Sequence, residues 1–182
     1  MAVTIDRVGN KKAQNIAERT ADFERLFQEN WSRVNEVLYR LVGDADEAQD
    51  LALETFWRMY SSPPRRVENV GGWLYRVALR LGYNALRAGK RREGYELEAG
   101  KISLENSTND PANEADLSEQ RRLVRQVLAG MRSRSAEILV LRYSGFSYTE
   151  IGAALDVPVT SVGTLLVRAE REFEKRYQQE QG

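Results

Sequence analysis

Residues 147–170 read SYTEIGAALDVPVTSVGTLLVRAE. Ser147 and Glu150 have the form of a capping box: the serine oxygen accepts from the third helical N–H and the glutamate reaches back. A short helix over Tyr148–Leu155 is predicted to follow. Asp156, Val157 and Pro158 interrupt it, because proline cannot continue a helix interior. A second, longer helix is predicted from about Thr160 to Tyr177. This is the helix-turn-helix plan. Ile151, Ala154 and Leu155 are expected to pack against Val162, Leu166 and Ala169, with Gly152, Ala153 and Ala154 small enough for the two axes to approach. The second helix would then enter a DNA major groove, amino-terminal residues towards bases and phosphates. Thr160, Ser161, Gly163, Thr164 and Val167 face that way, and Arg168 and Arg171 lie one or two turns later. A helical hairpin in a bundle fits the same pattern, and the front of the longer helix carries no positive charge.

Composition narrows the choice. The chain has 182 residues, 42% of them hydrophobic, with no cysteine and no histidine. That is room for one ordinary domain or two small ones. Disulfides, thiolate chemistry and imidazole catalysis are excluded, so binding is favoured over catalysis, and neither a metal nor a cofactor is expected. The start, MAVTIDRVGNKK, has no apolar run and predicts no secretory signal. No run approaches the roughly 18 apolar residues of a spanning helix, so a cytoplasmic protein without membrane insertion is expected.

Formal net charge is zero, but the charge is laid out in blocks. Residues 61–92 hold 8 Lys/Arg and 1 Asp/Glu, whereas residues 93–119 hold 1 and 8. Residues 1–60 are net −3 and residues 120–182 net +3. Two cancelling solvated surfaces would give this asymmetry, and so would a nucleic-acid partner for the basic block.

Periodicity predicts helices throughout. Residues 1–21 read as a loose tail or short helix. From Asp22, the positions Phe23, Leu26, Phe27, Trp31, Val34, Val37, Leu38 and Leu41 recur at three- and four-residue steps, up to Gly43. Asp44 or Asp46 then caps a second helix with Ala48, Leu51, Ala52, Thr55, Phe56 and Met59 on its apolar side. Pro63 and Pro64 end it, and a loop is expected as far as Gly71 and Gly72. A third helix opens at Trp73, with Val77, Leu81 and Asn84 on one side beside Leu74, Ala78 and Leu86. Residues 94–116 are acidic, rich in Asn and Ser, and read as a flexible linker. Helices resume at Leu117: one carries Leu123, Val124, Val127, Leu128 and Met131, and the next Ala136, Ile138, Leu139, Leu141 and Tyr143. The expected fold is all-α, two small helical domains joined by a flexible acidic linker.

Two of these helices carry opposite charge. The second displays Asp46, Glu47, Asp50 and Glu54, some four residues apart on one face, with no cation within the helix expected to neutralise them. An arginine-rich partner would do so; a solvated acidic face fits equally. The third joins Arg76, Arg80, Arg87, Lys90, Arg91 and Arg92 to Trp73, Tyr75 and Tyr83. Cations that track phosphates and rings that stack on bases suit single-stranded nucleic acid; a core role for Trp73 fits as well.

These stretches resemble the extracytoplasmic-function sigma factors of the sigma-70 superfamily. Glu47–Phe56, EAQDLALETF, is similar to the family's acidic D-x-x-D-L-x-Q-E-T-F. Trp73–Arg80, WLYRVALR, is similar to W-L-Y-R-I-A-R-N, and ends in the basic GKRR of Gly89–Arg92. Leu139–Tyr143 with Gly145–Gly152 is similar to L-x-L-R-Y…G-x-S-Y-x-E-I-A. The resemblance implies that the chain directs promoter-specific initiation by RNA polymerase. Residues 22–93 would be region 2, with Asp46, Glu47, Asp50, Leu51, Glu54 and Phe56 docking on the β′ clamp helices of the core enzyme. Arg65, Arg66, Trp73, Arg76, Arg80, Tyr83, Asn84, Arg87, Lys90, Arg91 and Arg92 would melt the −10 element and hold its non-template strand. Residues 117–178 would be region 4, with Ser147, Tyr148, Thr160, Ser161, Gly163, Thr164, Val167, Arg168 and Arg171 on the −35 duplex. The linker would run towards the polymerase active-site and RNA-exit channels, as a nucleic-acid mimic or a simple tether; the β′ clamp and β subunits of core polymerase, promoter DNA and an anti-sigma factor are the implied partners.

Departures from the family pattern are specific. The recognition helix has Gly163, Thr164, Leu165 and Leu166 where the family often has T-V-K-S-R-L, so two cations are missing and free duplex binding should be feeble. Arg80, Asn84 and Leu53 replace a usual asparagine, aspartate and glutamine. A stand-alone helix-turn-helix regulator is the alternative, but it leaves the acidic helix without a role.

Overall fold

The computed structural model describes residues 3–63, 69–98 and 113–181, with side chains described over residues 20–63, 69–92, 95 and 117–181. Among these residues lie seven α-helices: α1 (Val3–Val42), α2 (Ala45–Ser61), α3 (Val70–Glu98), α4 (Asn113–Gly130), α5 (Ser133–Tyr143), α6 (Tyr148–Leu155) and α7 (Val159–Gln181). The expected all-α class holds, with every helix in its expected order.

Helix ends follow local chemistry. Gly43 closes α1 at φ +79°, a backbone angle that glycine adopts without steric cost. Asp44 caps α2 by accepting from the Glu47 N–H at 2.7 Å. Asn69 caps α3: its side-chain oxygen accepts from the Gly72 N–H at 2.7 Å and its carbonyl from the Trp73 N–H at 3.2 Å. Gly71 and Gly72 therefore lie inside α3 rather than in the expected loop, because the Asn69 side chain, three residues before Gly72, supplies the partner of the Gly72 N–H. Ser147 and Glu150 form the capping box of α6 in both directions.

Three elements run longer than their apolar stripes. α1 reaches back to Val3, through the expected tail; α3 runs to Glu98 and α4 begins at Asn113, both inside the expected linker. The remainder of that linker, residues 99–112, lies outside the described residues, as do Arg65 and Arg66. Helix geometry propagates one hydrogen bond per residue once nucleated, so a polar extension needs no apolar stripe of its own.

The first half packs α1, α2 and α3 around Val34, Val37, Leu38, Leu41, Ala52, Phe56, Leu74 and Ala78. Phe27, Trp31 and Phe56 interlock, with ring centroids 4.7–5.9 Å apart. The second half packs α4 to α7 around Val127, Met131, Ile138, Leu141, Ile151, Leu155, Val162 and Leu166. Tyr143, expected on the apolar stripe of α5, is exposed at the helix's last position, although Val140 and Leu141 in the same turn are buried.

The two halves also pack on each other. α3 touches α4, α5 and α6 as well as α1 and α2, and is buried on two sides. Its buried residues include Leu74, Tyr75, Ala78, Leu79, Gly82, Tyr83 and Leu86. The expected stripe of Trp73, Val77 and Leu81 is only half-buried, and Asn84 is exposed.

Candidate nucleic-acid and partner-binding surfaces

On α2, the core takes Ala48, Ala52, Thr55, Phe56 and Met59. Phe56, an expected docking residue, points into that core and is corrected to a structural one: it meets the rings of Phe27 and Trp31 and offers nothing to a partner. Asp46 and Asp50 are exposed; Glu47, Leu51 and Glu54 are half-exposed. Glu54 does have a neutralising cation within the helix, contrary to expectation: Arg58 pairs with it at 2.7 Å, one turn on. Among the described residues, Asp46 and Asp50 make no ion pair.

The face that α2 turns outward carries more than acid. Leu53 is 49% exposed, Trp57 61% and Tyr60 54%. Asp46, Asp50, Leu53, Trp57 and Tyr60 follow one another at steps of four, three, four and three. That is the spacing of a seam that packs along another helix. Trp57 and Tyr60 lie with ring centroids 6.0 Å apart, and Phe23 of α1 braces Tyr60 edge-on at 5.3 Å. Reading α2 for its core stripe missed these three residues. The signal was available: they are the large apolar side chains left over once the core positions are removed.

On α3, Arg76, Arg80, Asn84, Arg87 and Arg91 form an exposed stripe at four- and three-residue steps, joined by Lys90 and Arg92 at the carboxyl end. Arg87 lies over the Tyr83 ring at 5.6 Å. Trp73 is half-buried against the core. Tyr83 is corrected from a base-stacking residue to a buried one: its hydroxyl donates to the Met131 carbonyl, and burial pushes its pKa above the ordinary value. Arg76 donates to the Ala153 and Ala154 carbonyls, each at 3.1 Å, and Lys90 to the Gln126 carbonyl at 3.2 Å, with Glu180 at 3.5 Å. These contacts reach across to the second half of the molecule.

There, α6 and α7 meet at 89°. The turn between them holds Asp156 in the left-handed region, φ 56° and ψ 52°, which aspartate tolerates better than most residues. The Val157 N–H donates to the Gly152 carbonyl at 3.0 Å, and a Cβ on Gly152 would sit only 3.0 Å from the Val157 oxygen. Val162, Leu166 and Ala169 are the buried side of α7, which packs on α4 and α5 as well as on α6. The opposite side presents Thr160, Thr164, Val167, Arg168 and Arg171, all exposed, flanked by half-exposed Ser161 and Gly163. Ser147 and Tyr148 stand exposed at the start of α6, with Arg142 over the Tyr148 ring at 5.7 Å. A Cβ on Gly163 would meet Tyr148 only at 3.6 Å, ordinary contact, so packing does not demand glycine there.

Residues 14–92 match sigma-70 region 2, and residues 121–173 match sigma-70 region 4. The chain is 28% identical over 160 residues to the ECF RNA polymerase sigma factor SigE of Mycolicibacterium smegmatis, covering 83% of this chain and 60% of that one. It is 28% identical to the ECF RNA polymerase sigma factor SigW of Bacillus subtilis, over 79% and 82% of the two chains. The RNA polymerase sigma-H factor of Pseudomonas aeruginosa is 29% identical, over 86% of each. A solved structure of the sigma factor RpoE of Bartonella quintana, in complex with the anti-sigma factor NepR, is 19% identical with a TM-score of 0.49, covering 86% of this chain and 97% of that one. The helix-turn-helix and the acidic and basic helices before it are thus those of sigma-70 regions 4 and 2. The chain belongs to the extracytoplasmic-function sigma factors of the sigma-70 superfamily.

Among the described residues, no single helix is long and apolar enough to cross a membrane.

Proposed function

We propose that the chain binds core RNA polymerase and directs it to a specific set of promoters. The observation that carries this reading is the outward stripe of α2. Acid at Asp46 and Asp50 followed by Leu53, Trp57 and Tyr60, at the spacing of a helix–helix seam, is a surface for a partner helix rather than for solvent. It lies within the stretch that matches region 2. The partner it fits is the pair of β′ clamp helices, with Asp46 and Asp50 as charge partners and Trp57 as an aromatic anchor.

The other surfaces take the remaining roles. The cations of α3, with Arg65 and Arg66 before them, suit the non-template strand of the −10 element. Thr160, Thr164, Val167, Arg168 and Arg171 suit the −35 duplex. The neutral front of α7 leaves few phosphate contacts, so this domain binds weakly alone; tethering to a polymerase already on the promoter raises its effective concentration. The protein acts in the cytoplasm, without catalysis of its own or a cofactor, and an anti-sigma factor is a partner consistent with the family. A stand-alone regulator is the weaker reading because it leaves the α2 stripe without an occupant.

The test is binding of the purified chain to bacterial core RNA polymerase by fluorescence anisotropy, followed by run-off transcription on genomic fragments. Stoichiometric binding with new, aligned start sites is expected. Duplex DNA binding with no polymerase binding would instead establish the stand-alone regulator.

A further inference from the structure

A helix that holds a single strand needs rings for bases as well as cations for phosphates. α3 carries four aromatic residues, Trp73, Tyr75, Tyr83 and Tyr95. Three of them face the protein. Tyr75 and Tyr83 are 5% and 3% exposed, and Trp73 is half-buried against the core. Of the four, Tyr95 alone stands out in solvent, 70% exposed. It lies three residues past Arg92, where the match to sigma-70 region 2 ends, on a stretch of α3 that continues to Glu98.

The ring continues a line. Arg76, Arg80, Asn84, Arg87 and Arg91 follow one another along the exposed side of α3, and Tyr95 is the next step of four. Four residues advance an α-helix by about 6 Å and return close to the same side. Long helical side chains lean towards the amino-terminal end, which directs a ring at this position towards the turn of Arg91. The charge changes sign at the same place. Lys90, Arg91 and Arg92 precede the ring, whereas Glu93, Glu96 and Glu98 lie on either side of it and beyond. A phosphate backbone drawn along the arginines is repelled past Arg92. A base is uncharged and meets no such penalty, and an aromatic face is what it stacks on.

We propose that Tyr95 stacks on an unpaired base of the strand whose phosphates run along α3, at the point where the basic track ends. The inference rests on reading α3 as the single-strand binder. Tyr75 and Tyr83 hold α3 in the fold, and Tyr95 is the ring left for a base. Every base has a π-face, so this contact adds grip without selecting sequence. A neutral ring releases no counterion, so its share of the affinity does not fade as salt is raised, unlike that of the arginines.

The test uses the full-length chain bound to core RNA polymerase. The probe is a fluorescent single-stranded oligonucleotide with the non-template sequence of a promoter located by run-off transcription. Alanine at an exposed helical position leaves the fold in place, so a loss of binding reports the contact itself. Tyr95→Ala should weaken oligonucleotide binding roughly tenfold at every salt concentration, with the log–log salt slope unchanged. Tyr95→Phe should stay within about twofold of the natural chain, because the ring stacks and the hydroxyl does not. Arg87→Ala should instead lower the magnitude of the slope by about 0.7. Probes with one abasic residue at a time locate the stacked base. At that position the natural chain should lose as much as Tyr95→Ala loses on the intact probe, and Tyr95→Ala should lose nothing more. Unchanged binding by Tyr95→Ala, beside the expected effect of Arg87→Ala, overturns the stack and leaves α3 as the phosphate track. An equal loss by Tyr95→Phe overturns it in favour of a hydroxyl contact. A Tyr95→Ala loss that falls on affinity for core polymerase overturns it in favour of a protein contact. If neither Arg87→Ala nor Tyr95→Ala changes oligonucleotide binding, the reading of α3 falls, and the stack with it.

Discussion

Glu150 serves two structures at once. One carboxylate oxygen accepts from the Ser147 N–H and hydroxyl at 2.8 and 2.7 Å, and the other from Arg33 at 2.8 Å. The Arg33 hydrogen bond, helped by the Ser147 backbone and hydroxyl, lowers its pKa from 4.5 to about 2. A carboxylate with a depressed folded-state pKa stabilises the fold above the unfolded value, and that contribution fades as pH falls from about 4.5 towards about 2. Glu150→Gln keeps a cap-competent side chain but removes the charge. It should cost about 0.2–1 kcal/mol at pH 7, a modest sum because the pair is nearly half exposed. In urea unfolding, the gap to the natural chain should narrow below pH 4.5 and close near pH 2; a gap constant across that range would mean that Arg33 contributes nothing through charge. The capping box was legible in the sequence because its members are three residues apart. Arg33 was not: 117 residues separate it from Glu150, and no local pattern couples them.

At the scale of the element, α2 shows why a motif is read best after its core face is subtracted. Its apolar side was legible from three- and four-residue steps. Phe56 belongs to the same motif as Asp50 and Glu54 but turns inward, because it lies four residues after Ala52 and three before Met59 on the buried side. Leu53, Trp57 and Tyr60 turn outward. Asp50→Arg with Glu54→Arg should abolish polymerase binding and leave unfolding nearly unchanged, apart from the lost Glu54–Arg58 pair. Trp57→Ala should weaken binding roughly 30-fold, the loss of an aromatic hot spot of about 2 kcal/mol. Its stability should stay within about 0.5 kcal/mol, since the ring is largely in solvent. Anisotropy titrations with core polymerase measure both variants. Undiminished binding by Trp57→Ala would confine the docking to the acidic residues.

For the whole molecule, helix order, the two halves and the recognition helix all followed from pattern, whereas the packing of α3 on two sides did not. Tyr75 and Tyr83 are buried partly by Phe146 and Met131, residues of the other half, which no window along the chain contains. The same arrangement separates the functions that mutation can test. Arg91 and Arg92 are exposed, lie on α3 rather than on α2, and make none of the contacts that join the halves. Arg91→Glu with Arg92→Glu should therefore leave the fold and polymerase affinity intact while blocking open-complex formation. Losing two phosphate contacts should flatten the salt dependence of single-strand binding by about 1.4 in log–log slope. Permanganate reactivity of unpaired thymines reports melting on a duplex promoter, and a promoter with a pre-opened bubble separates melting from capture. If the two arginines act in melting alone, the bubble should restore transcription. If they also hold the strand, as the continuous basic stripe of α3 implies, transcription should remain impaired on the bubble, more so as salt is raised. Normal permanganate reactivity on the duplex would remove both residues from the single-strand site and confine that site to the part of α3 before them.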